Sequence, residues 1–141
     1  MKDTDILLAV KQENLEWFKE ILSHYPRAIL LRDEKGVWVP FLAAETGNLE
    51  LVKYVVEYSL ASMNERDENH QSILHYAAKS GNTAVIQYLV EKVGMSPLEG
   101  DKECKTPYEV VHEMGYTEAE NYLEKVVGVP LKDMYLSLIH I

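Results

Sequence analysis

The sequence has a single cysteine, Cys104, in 141 residues. One thiol excludes an intrachain disulfide and a cysteine-based metal cluster within this chain. Positive charge is also scarce, because 14 Lys and Arg stand against 23 Asp and Glu and give a formal net charge of −9. A nucleic-acid-binding surface needs a basic patch that displaces counterions, so we expect no nucleic-acid partner.

Long apolar runs and targeting signals are missing as well. No segment approaches the roughly 18–20 apolar residues that a membrane helix needs. Asp3 and Asp5 stand where a signal peptide carries positive charge. We therefore expect a cytoplasmic protein without a membrane partner. An apolar content of 47% and a charged content of 26% are those of a folded globular domain.

The common catalytic and ligand-binding motifs are missing too. The sequence has no Gly-x-Gly-x-x-Gly, no P-loop and no Gly-x-Ser-x-Gly, and its five histidines lack zincin spacing. His112 follows Cys104 by eight residues, but nothing in the sequence marks a third group that would orient this pair for nucleophilic catalysis. We expect no enzyme activity in this segment, no metal and no cofactor.

What the sequence does contain is an internal repeat with a period of 34 residues. The segment DEKGVWVPFLAAETGNLELVKYVVE (33–57) aligns without gaps with DENHQSILHYAAKSGNTAVIQYLVE (67–91) and with residues 101–125. Residues 9–22 align with 43–56, which adds a fourth unit at the N-terminus. The predicted units are 1–32, 33–66, 67–100 and 101–127.

Each unit has the pattern of a turn followed by two short helices. The glycines at 47, 81 and 115 are predicted to cap the first helix of their units, so Gly47, Gly81 and Gly115 are structural. Thr106 is predicted to be an N-cap with Pro107 at the first helical position. Neither helix of a unit could bury its apolar face alone, so stacked neighbours must supply the core.

The units resemble ankyrin repeats. The stretch SILHYAAKSGN (72–82) is similar to the family's Thr-Pro-Leu-His-x-Ala-Ala-x-x-Gly-His core, and TPYEVVHEMGY (106–116) shares its Thr-Pro start. The resemblance covers about residues 4–126 and implies an all-α solenoid of four stacked helix-turn-helix units with turn or β-hairpin tips. It also implies that His75 is structural and hydrogen-bonds within and between repeats.

Some positions depart from the family pattern. Trp38 stands at the capping Thr position, Pro40 lies one place late, and Phe41 replaces the His. His70 and Cys104 stand at a turn position where the family has Gly with positive φ. We expect the same backbone conformation there, at a cost of about 1 kcal/mol for Cys104.

The two ends of the repeat array are predicted to be caps. Two apolar columns of the second helices end in Glu120 and Glu124, and burying unpaired carboxylates is costly. We therefore expect both to face water, with 101–127 as the C-terminal and 1–32 as the N-terminal capping repeat. The tail 128–141 shows no repeat, and two interpretations stay open. It is a truncated linker into a further domain, or a sequence artefact, since LSLIHI resembles translated adapter read-through.

The resemblance implies a concave face, made of turn tips and outward positions of the first helices, that binds a protein partner. We therefore expect a monomeric, non-catalytic protein-interaction module. For Trp38, binding and packing roles both stay open. Carried over by position, the partner-binding residues are Glu34, Lys35, Val37, Trp38, Glu45, Thr46, Glu68, Asn69, Gln71, Lys79, Ser80, Lys102, Glu103, Lys105, Glu113 and Met114.

A second hypothesis makes the chain an accessory domain of an enzyme. The repeats would then form the N-terminal part of a longer protein, such as a glycoside hydrolase, with its catalytic domain beyond residue 141. A purely structural spacer is a third hypothesis, and it predicts that substitutions on the concave face have no effect.

Overall fold

The computed structural model describes residues 1–58 and 64–127, so the predicted tail and linker at 128–141 lie outside the described residues. The predicted all-α architecture is confirmed, since these two ranges contain eight α-helices and no strand, only a β-bridge between Arg32 and Trp38. A 3₁₀ turn (Pro26–Leu30) follows the second helix, and a π-helical turn (Leu89–Val93) extends the sixth. The helices are α1 (Asp5–Lys11), α2 (Leu15–His24), α3 (Val39–Thr46), α4 (Leu49–Tyr58), α5 (Ile73–Ser80), α6 (Thr83–Tyr88), α7 (Pro107–Met114) and α8 (Thr117–Val127).

The helix ends are defined by particular cap residues. Ser72 Oγ accepts a hydrogen bond from the His75 N–H, and Thr106 Oγ1 accepts one from the Glu109 N–H. Pro107 opens α7, where the absence of an N–H costs nothing. Three of the four first helices end at a glycine with a left-handed backbone: Gly47, Gly81 and Gly115 have φ of 73°, 72° and 77°.

The helices stack in two layers around one apolar core. In the layer of first helices, α3 packs between α1 and α5, and α5 packs between α3 and α7. In the layer of second helices, α6 contacts both α4 and α8. Each unit thus buries its apolar faces against its neighbours, as in a column of equivalent second-helix residues that are at most 2% exposed: Phe18, Val52 and Ile86.

The next residue of that column, Glu120, does not face water, so the prediction for it was wrong. Glu120 is only 9% exposed, and its Oε1 accepts a hydrogen bond from the Tyr108 hydroxyl at 3.1 Å. His112 Nδ1 lies 2.8 Å from the same oxygen, and Glu124, half-buried, lies 3.4 Å from the Tyr108 hydroxyl. The prediction treated the carboxylates as unpaired, whereas hydrogen-bond donors largely offset the cost of burial.

Candidate interaction surface

The three turn tips share one hydrogen-bond pattern. In each tip an aspartate Oδ1 accepts from the backbone N–H groups two and four residues later, at 2.8–2.9 Å. The positive φ expected of His70 and Cys104 is present, at 58° and 65°, and the equivalent Gly36 has a φ of 82°. Side chains on the tips therefore project from a fixed backbone. The three aspartates are Asp33, Asp67 and Asp101.

The third tip is bonded to the second. The Lys102 N–H donates to the Asn69 carbonyl at 2.9 Å, which links neighbouring units through their backbones. Burial alone would raise the pKa of Asp101, but the N–H groups of Lys105 and Glu103 donate to this carboxylate, and its pKa is lowered. The ionised carboxylate is thus part of the structure of the tip.

His75 connects the third unit to the fourth from a fully buried position. Its Nδ1 accepts from the Ser72 N–H at 3.1 Å, and its Nε2 lies 2.8 Å from the Lys105 carbonyl oxygen. Since one ring nitrogen faces a donor and the other an acceptor, the imidazole is neutral with its proton on Nε2. Burial lowers the pKa of His75, against the opposing effect of the Lys105 carbonyl. His75 lies in the core, away from any surface where a partner could bind.

One face of each first helix carries a row of three residues. For α3 the row is Trp38, which immediately precedes the helix, with Leu42 and Glu45, because spacings of four and three residues bring side chains to one side of a helix. We call these rows the inner rows; since the first helices stack side by side, they form one surface, the inner face. The other rows are Thr4, Leu8 and Lys11; Ser72, Tyr76 and Lys79; and Thr106, Val110 and Glu113.

The last residues of the inner rows alternate in charge: Lys11, Glu45, Lys79 and Glu113. Lys79 Nζ donates to Gln71 Oε1 at 2.9 Å and lies 4.3 Å from the centroid of the Tyr76 ring. Lys105 Nζ donates to Glu113 Oε2 at 2.9 Å, and Lys11 Nζ lies 4.0 Å from Glu34 Oε1. The Glu45 side chain is exposed and forms no hydrogen bond or ion pair with any described residue, although its charge acts on Tyr76 and adds to the effect of burial in raising the pKa of that hydroxyl.

Accessible apolar surface on the inner rows is confined to the first two units. Leu8 is 47% exposed, and Trp38 and Leu42 are half-buried. At the positions equivalent to Leu8 and Leu42, Tyr76 and Val110 are only 5% and 8% exposed. The inner face therefore has an apolar first half and a more polar second half.

Trp38 lies at the edge of the core and is partly exposed at the surface. Its side chain packs against the core, and the residue keeps part of its surface exposed. The Arg32 guanidinium lies 3.9 Å from the ring centroid, a cation–π contact beside the β-bridge that joins the two backbones. The indole is thus held in place before any partner arrives.

The remaining predicted partner-binding residues differ in their exposure and in whether their polar groups already form hydrogen bonds within the chain. The hydroxyls of Thr46 and Ser80 donate to the carbonyls of Ala43 and Ala77 at 2.6 Å, so they close the ends of α3 and α5. Val37 is half-buried. The others are exposed on the tips or at the end of α7: Glu34, Lys35, Glu68, Asn69, Lys102, Glu103 and Met114.

Sequence reasoning missed four accessible residues of this face. Thr4, Leu8 and Lys11 lie at α1, where no tip precedes the helix, and Leu42 lies between two residues that were named. The signal that could have found Lys11 is the repeat itself, because Lys11 is one period before Glu45.

Two further properties concern the described ranges only. None of their helices is long and apolar enough to cross a bilayer. Their His, Cys, Asp and Glu side chains also form no group of three or more that could hold a metal ion.

Stacked two-helix units with fixed tips and an exposed inner face define a helical-repeat solenoid, a class of protein that binds partners on extended surfaces. A family model described as ankyrin repeats, in three copies, matches residues 6–101, and the chain belongs to that family. The predicted family and fold are thereby confirmed. Ankyrin repeats are typically non-catalytic modules that bind protein partners.

Solved structures agree with this fold. The chain is similar to one in the crystal structure of the yeast ribosomal protein Rps3 in complex with its chaperone Yar1, with a TM-score of 0.77 and 21% sequence identity. The match covers 87% of this chain and 91% of that chain, so it extends past the residues that the family model matches. Comparison with curated proteins gives no match.

Proposed function

We propose that this chain is a non-catalytic adaptor that binds a protein partner through its inner face and turn tips. The observation that supports this most is the fixed backbone beneath exposed side chains. The aspartate-bonded tips and capped first helices hold residues such as Lys35, Glu45 and Glu68 in place without any partner. A preorganised surface loses little conformational entropy on binding, so more of the contact energy appears as affinity.

The cellular setting and the assembly state belong to the same proposal. We propose a monomer that acts in the cytoplasm, its net charge of −9 favouring solubility over self-association. Light scattering coupled to gel filtration measures the mass of the free chain, and a dimeric mass would contradict the monomer.

Affinity capture with matched variants tests the proposed binding face. The full chain is immobilised as wild type, as Trp38→Ala/Glu45→Ala on the inner rows, and as Glu16→Ala/Glu50→Ala on exposed positions of α2 and α4. Circular dichroism establishes that all three are folded. We expect a partner to be retained by the wild type and the outer-helix variant and lost by the inner-row variant. Retention by the inner-row variant and loss by the outer-helix variant would place the site on the second helices.

A further inference from the structure

The chemistry of the partner can be inferred from the first half of the inner face, and this step rests on the proposed function. We propose that Leu8, Trp38, Leu42 and Glu45, here called the Trp38 patch, bind a basic and apolar segment of the partner protein. An Arg or Lys side chain of the partner lies opposite Glu45, and a large apolar side chain next to it packs on the other three residues.

The apolar part of the patch follows from exposure. Leu8 is 47% exposed, and Trp38 and Leu42 are half-buried in the neighbouring unit, at the start and in the middle of α3. Single exposed apolar residues are ordinary on protein surfaces, but these three lie on adjacent inner rows of stacked helices. Packed helices are roughly 8–10 Å apart, so the patch has the width of one or two large side chains. Trp is also enriched among residues that dominate binding energy.

The charge of the partner follows from Glu45. The other three charges at the row ends already have neighbours, namely Gln71 and Tyr76 for Lys79, Lys105 for Glu113, and Glu34 for Lys11. A partner cation opposite Glu45 therefore gains a charge-assisted hydrogen bond without breaking an existing pair. A partner anion there would be repelled.

The charge of the whole chain acts in the same direction. A net charge of −9 attracts basic segments at long range and raises their association rate at low ionic strength. The Arg32 guanidinium lies 3.9 Å from the centroid of the Trp38 ring and holds the indole in position, so the apolar side chain of the partner packs on the part of Trp38 that stays exposed. Geometry and charge thus point to one occupant, a short basic and apolar stretch of protein.

A displayed library of random 12-residue peptides, selected on the immobilised full chain, tests this inference. We expect enriched sequences to place Arg or Lys within a few residues of Leu, Met, Phe or Trp. Affinities of the best peptide are then measured for the wild type, Trp38→Ala, Glu45→Gln, and the control Glu50→Gln at an exposed position of α4. We expect the affinity for the peptide to fall by about 30-fold or more for Trp38→Ala and by about twofold to fivefold for Glu45→Gln. The affinity of the control variant should equal that of the wild type.

A charge exchange separates failure of the inference from failure of the proposed function. Glu45→Lys should weaken binding of the basic peptide. A peptide with Glu in place of its basic residue should bind to that variant again. The inference would be overturned if the selected peptides had no basic residue and their affinity depended on Trp38 but not on Glu45. Binding to the inner face would still be supported by that result. A selection that enriches nothing, or only peptides that bind Trp38→Ala as well as wild type, would contradict both.

Discussion

The described parts of units 33–66 and 67–100 have the same arrangement of tip and helices but use equivalent positions differently. In the second of these, Ser72 caps α5 and bonds to His75, and the Tyr76 hydroxyl donates to Asp67 Oδ2 at 2.6 Å. His75 then bonds to the Lys105 carbonyl of the following unit. The polar groups of Ser72, His75 and Tyr76 thus all form hydrogen bonds within the fold.

In unit 33–66 the three equivalent residues are Trp38, Phe41 and Leu42, and their side chains hydrogen-bond to no described residue. Phe41 instead packs against Tyr76 of the next unit, with ring centroids 5.0 Å apart. Trp38 and Leu42 keep part of their surface exposed. The comparison teaches that one set of positions can form hydrogen bonds within the fold in one repeat and leave apolar surface accessible in the neighbouring one.

The largest expected effect tests how tightly unit 67–100 is joined to its successor. An alanine at Gly81 would force a left-handed φ of 72° and place its Cβ 2.7 Å from the Tyr116 ring. Adding the backbone strain to the overpacking, we expect Gly81→Ala to lower the free energy of unfolding by about 3 kcal/mol.

The matched control for Gly81 is Gly115. It has a similar φ of 77°, but an added Cβ would meet no described atom within 4 Å. We expect Gly115→Ala to cost only about 1 kcal/mol, measured by urea unfolding. Equal losses at the two sites would show that the Tyr116 contact contributes nothing.

Next in size is the buried hydrogen-bond bridge of unit 67–100. His75→Ala removes the partners of the Ser72 N–H and of the Lys105 carbonyl and leaves a cavity, so we expect the free energy of unfolding to fall by about 2 kcal/mol. Phe41→Leu at the equivalent position makes an apolar side chain smaller without leaving polar groups unpaired. We expect it to lower the free energy of unfolding by about 1 kcal/mol. If Phe41→Leu cost as much as His75→Ala, the supposed difference between the units would be wrong.

The same histidine adds a pH-dependent contribution to stability that Phe41, at the equivalent position of unit 33–66, cannot make because it has no titratable group. Burial lowers the pKa of folded His75 below its ordinary value of 6.5, to which it returns in the unfolded chain. Below about pH 6.5 the unfolded chain therefore binds more protons, so the free energy of unfolding falls as the pH falls toward the folded pKa. Above about pH 7.5 this group makes no pH-dependent contribution.

Urea midpoints between pH 5 and 7.5 measure this effect. His75→Gln should flatten the curve in that range, while the contribution of Asp101, whose pKa is lowered, is lost only at more acidic pH. Phe41→Leu should leave the slope of the wild type unchanged. Parallel curves for wild type and His75→Gln would rule out His75 as the source.

The smallest effect concerns the tips. Cys104 has a φ of 65°, a conformation that costs a side chain more than it costs glycine. We expect Cys104→Gly to raise the free energy of unfolding by about 0.5 kcal/mol, since relief of strain exceeds the added entropy of the unfolded glycine. Gly36→Ala, the reverse change in the first tip, should lower stability by about 1 kcal/mol. A loss of stability for Cys104→Gly would show that its backbone is unstrained.

Much of the frame could be predicted because it depends on residues a fixed number of places apart. The period of 34 residues gave the helix pairs, and Gly, Ser, Thr and Pro marked their ends. The buried state of Glu120 could not be predicted this way, because its donors Tyr108 and His112 lie on another helix and only packing brings them together.

The exposure and hydrogen bonding of the predicted binding residues could be predicted less completely. Thr46 and Ser80 stay predicted binding residues, but the prediction did not foresee that their hydroxyls donate to the carbonyl three residues earlier, a common local bond of Ser and Thr side chains. Whether a row residue is exposed depends on its neighbours in space, which is why Leu8 and Tyr76 differ at equivalent positions.

The most direct test of inner-face binding maps the contact on the whole chain. Backbone amide shifts of the isotope-labelled protein are followed while the captured partner or the best selected peptide is added. We predict the largest changes in α1, α3 and the tip at 33–38. Changes confined to α4, α6 and α8 would contradict the account.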